Sequence, residues 1–119
     1  MAISPSDADL QRFLARDADR PFVLVQLLRL ADGGREQYLT YTTAAQPILL
    51  RIGATVLYGG EQAGAFVGEP WDAALVVRYP SRTAYAEMLK DADYQRIAHL
   101  RSNALREALL MPMDDWSAR

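Results

Sequence analysis

No cysteine occurs anywhere in the 119 residues. That excludes a disulfide framework, a thiolate metal site and a cysteine nucleophile. Histidine is almost as scarce. His99 stands alone, with no second histidine, cysteine or glutamate at ligand spacing, so neither a metal centre nor an axial haem ligand is expected. Charge of one sign is also lacking. Thirteen Lys and Arg against fifteen Asp and Glu leave a net charge of −2, and the basic residues are too scattered to form an electrostatic footprint for nucleic acid. No apolar run approaches the ~20 residues that span a bilayer. The opening Met1-Ala2-Ile3-Ser4-Pro5 has no basic region followed by an apolar one, so no signal peptide is expected. Gly33-Gly34, Gly59-Gly60 and Gly64 do not have the spacing of a phosphate-cradling loop, and no Ser, His or Asp stands in a recognisable nucleophile setting. No binding pattern for a flavin or haem is visible, so no cofactor is expected. These absences together describe a cytoplasmic protein with no nucleic-acid or membrane partner.

What the chain does have is half its residues apolar, enough for one core. A single domain over 1–119 is expected, with residues 1–20 a helical extension and 21–113 the core. Within that core a strand–helix–strand order occurs twice. Pro21–Leu30, Arg35–Ile52 and Ala54–Tyr58 form the first unit, and Ala73–Tyr79, Arg82–Leu105 and Ala108–Met113 the second. Two such halves are the mark of a split βαβ, ferredoxin-like sandwich, an α+β fold.

The details follow from periodicity. Phe22 to Leu30 is apolar at nearly every position, as in a central strand covered on both faces. Alternation sends Phe22, Leu24, Gln26, Leu28 and Leu30 one way and Val23, Val25, Leu27 and Arg29 the other. Tyr38, Tyr41, Ala45, Ile48, Leu49 and Ile52 make one helical stripe. Pro47 lies within it, which predicts a kink or break near Ala44–Gln46. Ser6, Ser81 and either Asp91 or Asp93 are placed to start helices. The short N-terminal helix reads as a lid over a sheet edge or a contact for a second subunit.

Three segments carry a family resemblance. Leu27-Leu28-Arg29 is followed by a glycine turn and a tyrosine-bearing helix. Val76-Val77-Arg78-Tyr79-Pro80-Ser81 forms the second segment. Asp91-Ala92-Asp93-Tyr94-Gln95, with Arg101 and Ala104-Leu105 after it, is the third. From about Pro21 to Met113 the chain resembles a bacterial family of unknown function in the dimeric α/β-barrel superfamily. It departs from that family's pattern at Leu100, where a histidine often precedes the late arginine, and at Gln26, where asparagine is frequent. The resemblance implies a four-stranded antiparallel sheet with helices on one face. The other face would meet a second copy to form a shared barrel. Superfamily relatives include cofactor-free monooxygenases, muconolactone isomerases, haem proteins and stress proteins without established activity, so the fold does not choose a function.

The residues left to choose one are few. Arg29 and Arg78 sit in apolar strands, where an arginine needs an anionic or hydrogen-bonding partner. They read either as strand-end residues reaching water along their stems or as carboxylate or enolate contacts. Because their strands are antiparallel, the two should lie toward opposite ends of the sheet. Gln26 at mid-strand must find partners for its amide. Tyr58, Trp71 and Tyr94 complete a polar-aromatic set of candidate ligand contacts with Gln26, Arg29 and Arg78. If there is catalysis, His99, Arg78 and Gln26 are the groups to handle protons and oxyanion charge, with Gln26 and Arg78 forming the core of the pocket. The expected function is a homodimer holding a small, largely apolar organic molecule in the barrel or a flanking cleft. The alternatives are a cofactor-independent monooxygenase- or isomerase-like enzyme, and a structural dimer with a filled interior.

Overall fold

The computed structural model describes residues 2–116; Met1 and residues 117–119, the ends of the expected domain, lie outside them. The chain runs α1 (Asp7–Leu14), β1 (Phe22–Leu30), α2 (Gly34–Ile52), β2 (Thr55–Glu61), β3 (Ala73–Tyr79), α3 (Arg82–Lys90), α4 (Ala92–Ala104) and β4 (Leu105–Met113). Among the described residues no helix is long and apolar enough to cross a membrane.

Short polar side chains start three of the helices by satisfying N–H groups that have no partner within the helix. Ser6 Oγ accepts from Asp9 N while the Asp9 carboxylate accepts from Ser6 N, a reciprocal capping box. Ser81 Oγ accepts from Ala84 N, and Asp91 accepts from Asp93 N and Tyr94 N. Asp91 therefore divides the second helical stretch into α3 and α4. The expected break in α2 is absent. The helix runs unbroken through Pro47, which lies on the exposed side, where water can satisfy the carbonyl that proline leaves free.

The sheet is antiparallel throughout, in the order β2-β3-β1-β4. With both crossovers carrying helices, this is the ferredoxin-like split βαβ arrangement. The sheet is open and does not close on itself within the chain. Two strands outrun their expected bounds. β2 continues through Gly59-Gly60 to Glu61, with a bulge between Val56 and Tyr58. A Cβ on Gly60 would lie 2.3 Å from the Tyr58 hydroxyl, the tip of an exposed side chain that can swing aside. β4 begins at Leu105 and includes Pro112, paired with Leu24; proline is tolerated because β4 is an edge strand.

The pleat divides the side chains of β1 as alternation requires. Phe22, Leu24, Gln26 and Leu28 are buried under the helices, and Val23, Val25, Leu27 and Arg29 are half-buried on the open face. Register places Ala74, Val76 and Arg78 of β3 and Leu109, Met111 and Met113 of β4 on that same open face. On the covered face Leu28 and Val77 are essentially inaccessible. Above them α2 and α4 meet at their closest where Gly34 opens α2 against the end of α4. A Cβ on Gly34 would lie 2.2 Å from the Ala104 carbonyl oxygen, the same oxygen that accepts from Ala31 N at 2.8 Å. Backbone cannot yield there as a side chain would. Gly34→Ala should therefore lower stability by about 1–3 kcal/mol or more, read as a lower urea midpoint. An unchanged midpoint would show that α2 and α4 can separate freely.

Candidate functional site

The helix layer does not fill the space above the sheet. A cavity of about 480 Å³ remains between α2 and the sheet, within the range of small-molecule sites. Its walls follow from the two periodicities. Helical spacing brings Tyr38, Tyr41, Thr42, Ala45 and Leu49 of α2 to one side, and strand alternation brings Gln26 and Leu28 of β1 and Leu75, Val77 and Tyr79 of β3 to the other. Met88 and Tyr94 close the inner end. At one edge Arg35, in the first turn of α2, holds Glu61 at the end of β2 through bonds of 2.7–2.9 Å. The carboxyl of Glu61 is lowered by its hydrogen bond to Arg35, and the Arg35 guanidinium is raised by the same bond.

Polar groups concentrate at the inner end. Gln26 is buried, yet its amide makes no hydrogen bond with any described residue and lines the cavity. The Tyr41 and Tyr94 hydroxyls are bonded to each other at 2.8 Å. Behind them is a second, smaller void of about 20 Å³, lined in part by Gln26, Tyr41, Tyr79, Met88 and Tyr94, which also line the large one, and by Arg101. Arg101 is 6% exposed. Its Nη1 donates to the Ile3 carbonyl at 2.6 Å and to Ser4 Oγ at 3.1 Å, while its Nη2 has no partner. The buried Tyr38 hydroxyl also lacks a partner.

The residues expected to form a site fall into four places. Gln26 and Tyr94 line the cavity together. Arg29 is on the other side of the sheet and already engaged. Its guanidinium bonds Glu107 at 2.7 Å and the Pro70 carbonyl at 2.8 Å and lies 4.2 Å from the ring centre of Trp71. Trp71 is thus the platform for Arg29. Arg78 is exposed on the open face, 3.5 Å from Asp115, and Tyr58 is exposed on the edge strand beside it. His99 is exposed on α4. The expected Gln26–Arg78 pocket does not form. Val23, not Gln26, pairs with Arg78, and Val23 and Gln26 point to opposite faces. Arg29 and Arg78 do lie toward opposite ends of the sheet. Tyr38, Tyr41 and Arg101 were not among the expected site residues. The available signal was a charged residue on the inward stripe of α4, at helical spacing from Tyr94 and Ala104. Among the described residues no group of three His, Cys, Asp or Glu side chains is placed to hold a metal ion.

Residues 22–112 match the family described as domain of unknown function (DUF1330). No curated protein matches. A solved protein of unknown function from Rhodopseudomonas palustris is 27% identical, with a TM-score of 0.84 and 95% of each chain covered. A dimeric ferredoxin-like protein of unknown function from Jannaschia sp. CCS1 is 11% identical, with a TM-score of 0.68 over 80% of this chain and 99% of the other. A Bacteroides thetaiotaomicron protein, provisionally described as an antibiotic biosynthesis monooxygenase, is 14% identical, with a TM-score of 0.63 over 83% of this chain and 92% of the other. The last two likenesses are of fold.

Burial governs the protonation of the cavity's phenols. It pushes the Tyr38 hydroxyl from 10.0 up to about 12 and Tyr41 well above the same value, with Tyr94 adding to the shift. Tyr79 and Tyr85 are raised likewise, burial first. The Arg101 charge opposes each of these shifts. These hydroxyls are therefore proton donors at neutral pH. Since their folded values exceed those of the unfolded chain, the native state retains protons that the unfolded state releases. Their contribution is complete below pH ~10 and is lost as pH rises through and above that value. In an alkaline titration, phenolate absorbance from these four should appear together with loss of the folded circular-dichroism signal. Ionisation of all tyrosines near their ordinary pKa, with the fold intact, would contradict the buried cavity.

Proposed function

The chain belongs to the DUF1330 family, whose description assigns no function, and we propose that it is a homodimer that binds a small, largely apolar organic molecule in the cleft between α2 and the sheet. The cavity carries this reading. It is the size of a small-molecule site, walled by aliphatic and aromatic side chains, and supplied with the Gln26 amide and the Tyr38 hydroxyl, which bond no described residue. Apolar walls with a few convergent polar groups are the usual make-up of a binding site. A purely structural dimer with a filled interior is disfavoured by the same void.

Dimerisation draws on the open face. Leu109, Met111 and Met113 are 40–43% exposed there beside Val23, Val25, Leu27 and Val76, a contiguous apolar patch of the kind that marks an interface. The Jannaschia protein of this fold is described as dimeric. Two such faces packed together would give the shared barrel.

A second reading is a cofactor-independent enzyme of the monooxygenase or isomerase kind, and the description of the Bacteroides protein favours it. The Tyr41–Tyr94 pair beside Gln26 could donate hydrogen bonds to a substrate oxyanion. A base is what the cavity lacks. Burial holds Tyr38, Tyr41 and Tyr79 protonated, His99 is outside, and Glu61 is tied to Arg35. Binding is thus supported more directly than acid–base catalysis.

The test uses the neutral fluorescent probe N-phenyl-1-naphthylamine. Saturable binding at one probe per subunit is expected, and Thr42→Trp, which fills the cavity from α2, should weaken it by about tenfold or more. Absence of saturable binding, or equal binding by Thr42→Trp, would contradict the cleft as the site. Sedimentation should give twice the 13.3 kDa chain mass. Val25→Asp, at the centre of the open face, should give monomers. A monomeric wild type would overturn the dimer.

A further inference from the structure

Arg101 holds a buried positive charge for which the described residues supply no counter-charge. No described carboxylate forms an ion pair with it, and its protein partners are one carbonyl and one hydroxyl, both on Nη1. Nη2 is buried with no partner at hydrogen-bond distance, and the Tyr38 hydroxyl, also without one, is near enough to feel its charge. An unpaired cation in a protein interior is costly, so an arginine in this position signals an anion that is bound there. The inner void beside it, about 20 Å³, admits one water-sized group, such as a single carboxylate or enolate oxygen. This void and the 480 Å³ cavity share Gln26 and the Tyr41–Tyr94 pair as walls. These side chains stand between the two spaces, so an apolar body in the large cavity brings its head to the cation where they part.

We infer that the cleft selects organic acids or enols, with the ring system held between α2 and the sheet and the anionic oxygen received by Arg101. Gln26, whose amide bonds no described residue, and the one hydroxyl proton that the Tyr41–Tyr94 bond leaves free supply donors along the approach. The inference rests on the cleft being the ligand site and adds the sign of the ligand's charge. Arg35 at the cavity edge does not compete for this role, because Glu61 already neutralises it.

The test compares 2-naphthoate with 2-naphthalenemethanol, which share a body and differ in head charge, by isothermal titration calorimetry at neutral pH. Wild type should bind the acid at least about tenfold tighter, the scale of one charge-assisted hydrogen bond. Arg101→Gln should lose that preference while still binding the alcohol, and Arg35→Gln should retain it. If neither probe binds, the cleft reading itself fails. If both bind wild type equally, the cleft reading stands and the anion site is overturned. Loss of the preference in Arg35→Gln but not in Arg101→Gln would also overturn it, moving the charge contact to the cavity edge. Should Arg101→Gln not fold, the wild-type and Arg35→Gln titrations still decide, and acid preference absent from either refutes the inference.

Discussion

β1 lies between β3 and β4, so none of its side chains can turn around an edge to reach water, and its pleat fixes what each face of the protein can be. Phe22, Leu24 and Leu28 anchor the helix layer, while Val23, Val25 and Leu27 leave the other face apolar and uncovered. Gln26 is trapped on the covered side by the same alternation. A buried amide there must have either a protein partner or a space in which to meet one. It has the space. The cleft, the apolar open face and the separation of Arg29 from Gln26 are all consequences of this one strand.

A void beside a core strand persists only if the element above it is held away. α2 is held at both ends. Arg35 bonds Glu61 at the end of β2, and Arg51 bonds Asp91 and Asp93 where α4 begins. Each of these exposed pairs is weak alone, but they act at opposite ends of a 19-residue helix. Between them the middle of α2 presents Tyr38, Tyr41 and Ala45 to the cavity. Pro47 faces away and does not interrupt that wall. The N-terminal segment completes the inner end, since Ile3 and Ser4 occupy two of the donor positions of Arg101. α1 then packs along α3, where Arg82 bonds the Phe13 carbonyl and covers its ring.

The parts of this architecture set by local chemistry were legible in the sequence. Ser6, Ser81 and Asp91 start helices because their side chains satisfy neighbouring N–H groups, and the stripe from Tyr38 to Ile48 faces inward because its spacing is helical. Strand ends were less legible. The extension of β2 rests on the pairing of Gly59, Gly60 and Glu61 with β3, and the early start of β4 depends on where α4 stops, both set by contacts between elements. Gln26 and Tyr94 drew notice in the sequence and line the cleft together, but the assembly around them was not legible. Arg29 and Arg78 attracted notice as arginines in apolar strands. Trp71, Glu107 and Asp115, which answer their charges, come from other parts of the chain. Arg101 appeared only within a family motif, because its isolation from carboxylates is a fact of three-dimensional placement.

In the proposed reading, ligand recognition lies on the helix side of the sheet, around Gln26 and Arg101, and the open face meets a second copy of the chain. A crystal structure of the protein soaked with 2-naphthoate tests that division most directly. The account predicts naphthyl density between α2 and β1–β3, with the carboxylate against Arg101 Nη2. Naphthyl density lodged between two open faces instead, with the cleft closed by side chains, would contradict it.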